Sequence, residues 1–217
     1  LVILRRRWEY WIVATALHKI GAVLIPASLQ LTKKDIAYRA NAADVEAIIC
    51  INDDFVITQA ESALPDSPTV MNLIHVDESQ TYSKDNNSDG INVNMGNGWK
   101  NFSYEAFKYS DVFMRPTGMN ATKTSDTMLI YFTSGTTGMP KMVHHDYSYP
   151  LGHIVTAKYW QCVEKGKLHM SVSDSGWAKF GWGKIYGQWI CGATVFAYDM
   201  DKFIPAKLLS MMEKYKL

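Results

Sequence analysis

The stretch Tyr131-Phe132-Thr133-Ser134-Gly135-Thr136-Thr137-Gly138-Met139-Pro140-Lys141 gathers hydroxyls, glycines and a lysine within a few residues. Together these groups can hold an anion. Glycine lets backbone N–H groups approach a phosphate closely. Serine and threonine hydroxyls donate to its oxygens, and a lysine adds a compact positive charge. Ser/Thr/Gly runs also occur as plain flexible loops. Here the apolar run Thr127–Phe132 stands directly before the hydroxyls and Pro140 fixes the approach to Lys141, which favours a phosphate cradle. The cradle is not the common P-loop: counted from Gly135, that pattern needs glycine at position 140 and serine or threonine at position 142, where the chain has Pro140 and Met142.

Other constellations carry less. Asp85-x-Asn87-x-Asp89-Gly90 begins like an EF-hand calcium loop, but the pattern needs a glutamate where the chain has Gly96, so a polar surface loop over 83–98 is the reading. The adjacent His144 and His145 lack metal-ligand spacing. No carboxylate cluster suggests a dedicated metal site. Cys50, Cys162 and Cys191 have apolar neighbours and no redox or zinc spacing, which reads as reduced, buried thiols of a cytoplasmic protein.

The elements that must position the cradle follow from periodicity. Residues 1–5 read as a buried strand and Trp8–Ile20 as a helix closed by Gly21. Ala22–Ile25 reads as a short strand ending at Pro26. Thr32-Lys-Lys-Asp35 resembles a capping box opening a helix to Ala43, and Glu46–Ile51 is a strand. Asn52–Ser67 is ambiguous, with a helix near Gln59–Ser62. Strands are expected at Val70–Val76, Thr127–Phe132, Leu168–Val172 and Ala193–Tyr198. Helices are expected at Ser103–Ser110, Tyr147–Trp160, Gly176–Ile190 and Pro205–Tyr215. Strands alternating with helices predict an α/β fold of mostly parallel sheets with crossover helices.

The 217 residues suffice for a large core, and 47% hydrophobic with 20% charged residues is ordinary for a globular protein. A net charge of +1 gives no electrostatic reason to expect a nucleic-acid or membrane partner. No apolar run reaches the length of a membrane span.

The cradle resembles the phosphate-binding motif of the adenylate-forming enzymes, Tyr/Phe-Thr-Ser-Gly-Ser/Thr-Thr-Gly-x-Pro-Lys, and meets every fixed position of it. Lys141-Met-Val-His-His145 with Asp146–Pro150, Ser173-Asp-Ser-Gly-Trp177, Trp182-Gly-Lys-Ile-Tyr-Gly-Gln-Trp189, Gly21–Pro26 and Leu31–Arg39 are similar to the medium-chain acyl-CoA synthetase branch. The resemblance implies an ATP-dependent acid–CoA ligase. In that reaction a carboxylate attacks the α-phosphorus of ATP, and the thiol of coenzyme A then displaces AMP. On this resemblance Thr133, Ser134, Gly135, Thr136, Thr137, Gly138 and Lys141 hold the ATP phosphates, with Lys141 the catalytic charge and Mg2+ arriving on the ATP. Trp177 closes the acyl pocket near the carboxylate, while Trp160 and Trp182 narrow it, leaving room for a short, medium-chain or branched acid. Lys179 either snorkels to solvent or reaches the acid. His145 either lines the acyl or nucleotide pocket or is a packed histidine, and His144 has no assigned role.

The resemblance further implies that the chain is part of the large N-terminal AMP-binding domain. A first sheet unit would run over about 1–125 and a phosphate-loop unit over about 126–217. The lead-in, much of the large domain and the C-terminal domain would be absent, so the isolated piece is expected to be catalytically incomplete. The alternatives are an adenylating enzyme with a non-CoA acceptor and a non-catalytic nucleotide- or acyl-binding module. The oligomeric state stays open.

Overall fold

The structure is a computed structural model and describes residues 1–77, 98–134, 138–200 and 202–217. In chain order its elements are β1 (Val2–Ile3), α1 (Trp8–Ile20), α2 (Lys33–Ala42), β2 (Ala47–Ile51), α3 (Asp54–Ala63), β3 (Asn72–Val76), β4 (Trp99–Asn101), α4 (Phe102–Phe107), β5 (Thr127–Thr133), β6 (Lys141–Asp146), α5 (Tyr149–Tyr159), β7 (Leu168–His169), α6 (Ala178–Lys184), α7 (Tyr186–Ile190), β8 (Thr194–Val195) and α8 (Pro205–Tyr215). The chain forms two compact units: Leu1–Leu4 with Ala27–Pro116, and Arg5–Pro26 with Thr117–Leu217. Arg5–Pro26 therefore belongs with the later unit rather than with the sequential block 1–125. The reason is physical: Trp11 buries its indole and donates Nε1–H to the carbonyl of Lys184 at 2.9 Å, and Leu24 pairs with β5.

The first unit is a parallel sheet in the order β1-β2-β3-β4. Val2 lies opposite Ile49, Ile49 opposite Ile74 and Leu73 opposite Trp99. The run Ala47-Ile-Ile-Cys-Ile51 is apolar almost throughout, as a parallel strand covered on both faces must be. Helix starts are held by side chains. Asp35 reaches back to the N–H and hydroxyl of Thr32 (3.0 and 2.7 Å), Asp53 accepts from Phe55 and Val56, and Asn101 accepts from Tyr104. The ambiguous segment after Asn52 is the full helix α3, started by Asp53. At the carboxyl ends of three strands, Asp77 ties the sheet together. Its Oδ1 accepts from Asn52 (2.9 Å), its Oδ2 accepts from Asn101 (2.6 Å), and Nδ1 of the fully buried His75 lies 3.0 Å away.

The second unit is built on the hairpin β5–β6, which is antiparallel. Sequence periodicity left Lys141–Asp146 without an element, because its polar and imidazole side chains are only half covered. It becomes a strand by pairing with the buried β5. Leu24 adds a parallel bridge on the other edge of β5, exchanging N–H···O bonds with Met128 and Ile130 at 3.0 Å. The expected strand at Ala22–Ile25 is thus a single bridge. Gly21 closes α1 in the left-handed conformation, φ 76°. The expected helix over 176–190 is two helices, broken at Ile185 (φ −124°, ψ −75°). β7 and β8 form a short parallel pair.

The expectation of three buried thiols is corrected: Cys50 is buried, but Cys191 is half-buried and Cys162 is exposed, on a left-handed residue (φ 52°) after the end of α5. The calcium-like loop lies outside the described residues. No described helix is long and apolar enough to cross a membrane, and no described His, Cys, Asp and Glu residues group as a metal site.

Candidate functional site

The cradle sits on the hairpin. β5 ends at Thr133 and β6 starts at Lys141, and the antiparallel register sets these two residues opposite each other. The Thr133 hydroxyl donates to the Lys141 carbonyl at 3.4 Å. Thr133, Ser134, Gly138 and Lys141 are all exposed. Gly138 has φ 121°, a conformation that excludes side chains, and nothing within 4 Å would meet a Cβ there. Gly135, Thr136 and Thr137 lie outside the described residues. Lys141 forms no ion pair among the described residues. The hairpin therefore presents hydroxyls, a glycine and an ammonium at one solvent-facing end, the set that recognises an anion.

Behind the cradle lies a ladder of rings. Tyr131 packs edge-on against His145 (centroids 5.6 Å) and Tyr149 (6.4 Å), and His145 meets Tyr149 at 4.1 Å. Tyr149 continues to His153 (4.5 Å), His153 lies nearly parallel to Trp182 (6.3 Å, 12°), and Trp182 meets Trp160 (5.3 Å). A branch runs from Tyr149 to Tyr186 (5.6 Å), whose hydroxyl lies 3.0 Å from Nε2 of His18. Burial holds the imidazoles of His145 and His153 below their ordinary range, and pulls His18 down to about 4. Burial pushes the Tyr131 and Tyr149 phenols upward. Around the ordinary pH range this wall is neutral.

Two amides fix the ladder's far end. Gln188 donates Nε2–H to the side-chain carbonyl of Gln161 and to the backbone carbonyl of Trp182 (3.1 Å). Helices α5 and α7 approach so closely that a Cβ on Gly187 would stand 2.8 Å from that of Ala157.

The sequence expectations divide against this geometry. Trp160 and Trp182 come together, with Trp160 two-thirds exposed. Trp177 does not join them: it is 64% exposed at the start of α6 and makes no ring contact among the described residues. The expected crowding of three indoles is thus a pair, because Trp177 precedes the helix that turns Trp182 inward. His145 is a packed ring between Tyr131 and Tyr149. Lys179 is exposed, the snorkelling alternative. His144 is exposed.

Two residues were missed. His153 is a rung of the ladder, and its spacing of four from Tyr149 on α5 was the available signal. Lys184 is fully buried, with Nζ unsatisfied by any hydrogen bond. The ammonium lies over the rings of Trp11 (6.0 Å) and Phe180 (5.6 Å), and burial together with Arg6 lowers its pKa to about 8. Lys184 follows the buried Phe180 by one helical turn, which places both on one face.

The family profile described as "AMP-binding enzyme" matches residues 1–217, and the chain belongs to that family. It is similar to acyl-coenzyme A synthetase ACSM3, mitochondrial, of Homo sapiens (31% identical over 218 residues, all of this chain and 34% of that protein). It is also similar to acyl-coenzyme A synthetase ACSM4, mitochondrial, of Homo sapiens (31% over 217 residues, again all of this chain and 34% of that protein). Among solved structures, acetoacetyl-CoA synthetase from Streptomyces lividans superposes with a TM-score of 0.72 over 91% of this chain and 29% of that chain, at 14% identity, a likeness of fold. The chain spans about a third of the length of the curated relatives it matches.

Proposed function

We propose that this chain carries the ATP-phosphate loop and part of the acid-facing wall of an AMP-forming acyl-CoA ligase acting on a short, medium-chain or branched carboxylic acid. The observation that carries this reading is the hairpin register that sets Thr133 opposite Lys141 and closes the hydroxyl- and glycine-rich loop between them. An acid carboxylate oxygen would attack the α-phosphorus of ATP in line, forming the acyl–adenylate P–O bond as the bond to pyrophosphate breaks. Catalysis of such a transfer is mostly positioning and charge stabilisation. Thr133, Ser134, Thr136 and Thr137 would donate to the departing β- and γ-phosphates, and Gly135 and Gly138 would let the backbone approach. Lys141 would offset the growing charge, with Mg2+ riding on the nucleotide. Trp182, Trp160 and His145 belong to the wall we assign to the acid, with Trp177 and Lys179 at its solvent edge. In the second half-reaction the thiol of coenzyme A would attack the acyl carbon and release AMP. Three cysteines without redox or zinc spacing would fit a cytoplasmic setting.

Acid-dependent exchange of pyrophosphate into ATP, over straight, branched and aromatic acids, tests this together with saturable ATP binding. Binding that Lys141→Ala weakens supports the nucleotide site. Binding without exchange fits a chain that spans about a third of its relatives' length, and absence of ATP binding would sink the reading.

A further inference from the structure

Gly181 is a glycine in the interior of α6, where glycine is less stable than alanine by about 0.5–1 kcal/mol, and its φ is not left-handed. Backbone freedom therefore does not explain it. Its surroundings do. A Cβ on Gly181 would overlap the hydroxyl oxygen of Tyr131 and stand 3.2 Å from Cε2 of Tyr186. The phenol of Tyr131 occupies the volume that any side chain at 181 needs. Tyr131 is 5% exposed and lies on β5, two residues before Thr133 of the cradle; Trp182 of the ring ladder follows Gly181 directly. Strand and helix meet at this contact with no spare volume, and packed interiors do not compress to make it.

We propose that Tyr131 and Gly181 are a positioning pair that sets the separation between the strand carrying the phosphate loop and the helix carrying the acid wall. The proposal rests on the nucleotide and acid assignments above. A methyl group at 181 would overlap the Tyr131 oxygen, so the ring, β5 or α6 must give way, and misplacements of about an ångström cost up to ~100-fold at a reacting centre. Removing the Tyr131 hydroxyl takes away the overlapping atom and leaves Cε2 of Tyr186 at 3.2 Å and Cζ of residue 131 at 3.6 Å, contacts that small side-chain shifts can absorb.

The test is a double-mutant cycle in the full 217-residue chain: Gly181→Ala, Tyr131→Phe and both together, each measured for ATP affinity by calorimetry and for Tm. Gly181→Ala is expected to weaken ATP binding by ~10-fold or more, Tyr131→Phe by less than ~3-fold, and the double variant to return to within ~3-fold of the parent. A purely structural role would lower Tm and leave the affinity of the folded protein unchanged. Folded Gly181→Ala with parental ATP affinity, or a double variant no better than Gly181→Ala, overturns the proposal. If Gly181→Ala does not fold, the double variant decides: folded with near-parental affinity supports the pair, unfolded overturns it. Absence of ATP binding by the parent chain removes the nucleotide assignment itself. That result differs from a parent that binds ATP and a Gly181→Ala variant that binds it equally well.

Discussion

Replacing Lys184 by methionine should stabilise the folded chain. The ammonium is fully buried, has no hydrogen-bond partner, and faces Arg6, a like charge, as well as the rings of Trp11 and Phe180. A pKa lowered from 10.5 to about 8 corresponds to about 3 kcal/mol against the protonated folded state. Methionine keeps the length of the stem and gains a sulfur–aromatic contact of about 0.3–1.5 kcal/mol, while the ring–cation attraction, about 0.5–2 kcal/mol, is lost. The net gain at pH 7 should be about 2 kcal/mol, or a Tm higher by ~4–8 °C for a chain of this size.

The pH dependence is the sharper test. Below pH 8 the amine holds its proton in both states, and the folded state carries the whole cost. Between 8 and 10.5 the folded amine has released the proton while the unfolded one keeps it, so the parent gains stability as pH rises. Above 10.5 neither state is charged. The advantage of Lys184→Met should therefore be largest at pH 7 and shrink toward zero by about pH 10. The tyrosines titrate in both proteins and cancel in the difference. Urea unfolding at pH 7, 8, 9 and 10 reads it directly, with the exposed Lys179→Met as a control expected within ~0.5 kcal/mol of the parent. A Lys184→Met variant less stable than the parent at pH 7, or an advantage that stays flat across the series, would refute the reasoning.

Lys141→Ala should weaken ATP binding by about 10-fold or more with unchanged circular dichroism, since a charge-assisted contact is worth about 1.5–3 kcal/mol and this side chain is exposed. Trp182→Ala should extend the range of accepted acids toward longer chains in an exchange panel, by about 1–3 kcal/mol of discrimination, whereas Trp177→Ala should leave Tm nearly unchanged because its ring lies outside the ladder. Asp77→Ala strands the amides of Asn52 and Asn101 and should cost about 2–4 kcal/mol in urea unfolding. His18, held at about 4 by burial, binds its proton more readily unfolded, so stability should fall as pH drops from 6.5 toward 4; His18→Gln should flatten that slope.

Elements with strong local signals were legible in the sequence. Helices α1 and α8 occupy the residues their periodicity and Gly21 or Pro205 assigned, and the apolar run before the cradle is β5. What local patterns miss is pairing and facing. β6 is a strand because β5 lies beside it, and β4 because β3 does; neither has an apolar run long enough to announce itself. Beyond the break at Ile185, Tyr186 and Gln188 are buried, and Gln188 donates to the carbonyl of Trp182. Spacing within α6 decides the lysines: Lys179, conspicuous in an apolar setting, reaches solvent, while Lys184, one turn after Phe180, shares its face and is sealed in. In the cradle, residue types were readable from the sequence, but the opposition of Thr133 and Lys141 required the hairpin.

That hairpin also explains why the loop has the composition it has. In a P-loop the strand runs into a helix, whose N-terminal N–H groups and dipole hold the phosphate. Here the chain returns as a strand at Lys141, and α5 starts only at Tyr149. No helix start stands at the cradle among the described residues, so on the function proposed above other donors would hold the anion. On that proposed function, the hydroxyls at 133, 134, 136 and 137 would be those donors, and the ammonium of Lys141 would replace the dipole with a full charge. Hydroxyl donors lose affinity piecemeal when removed, and a lone surface ammonium is screened by salt. ATP affinity should accordingly fall as ionic strength rises from about 0.05 to 0.5 M, and the fall should largely disappear in Lys141→Ala. A salt dependence equally steep in both proteins would mean that another cation, and not the one this hairpin aligns with Thr133, supplies the charge.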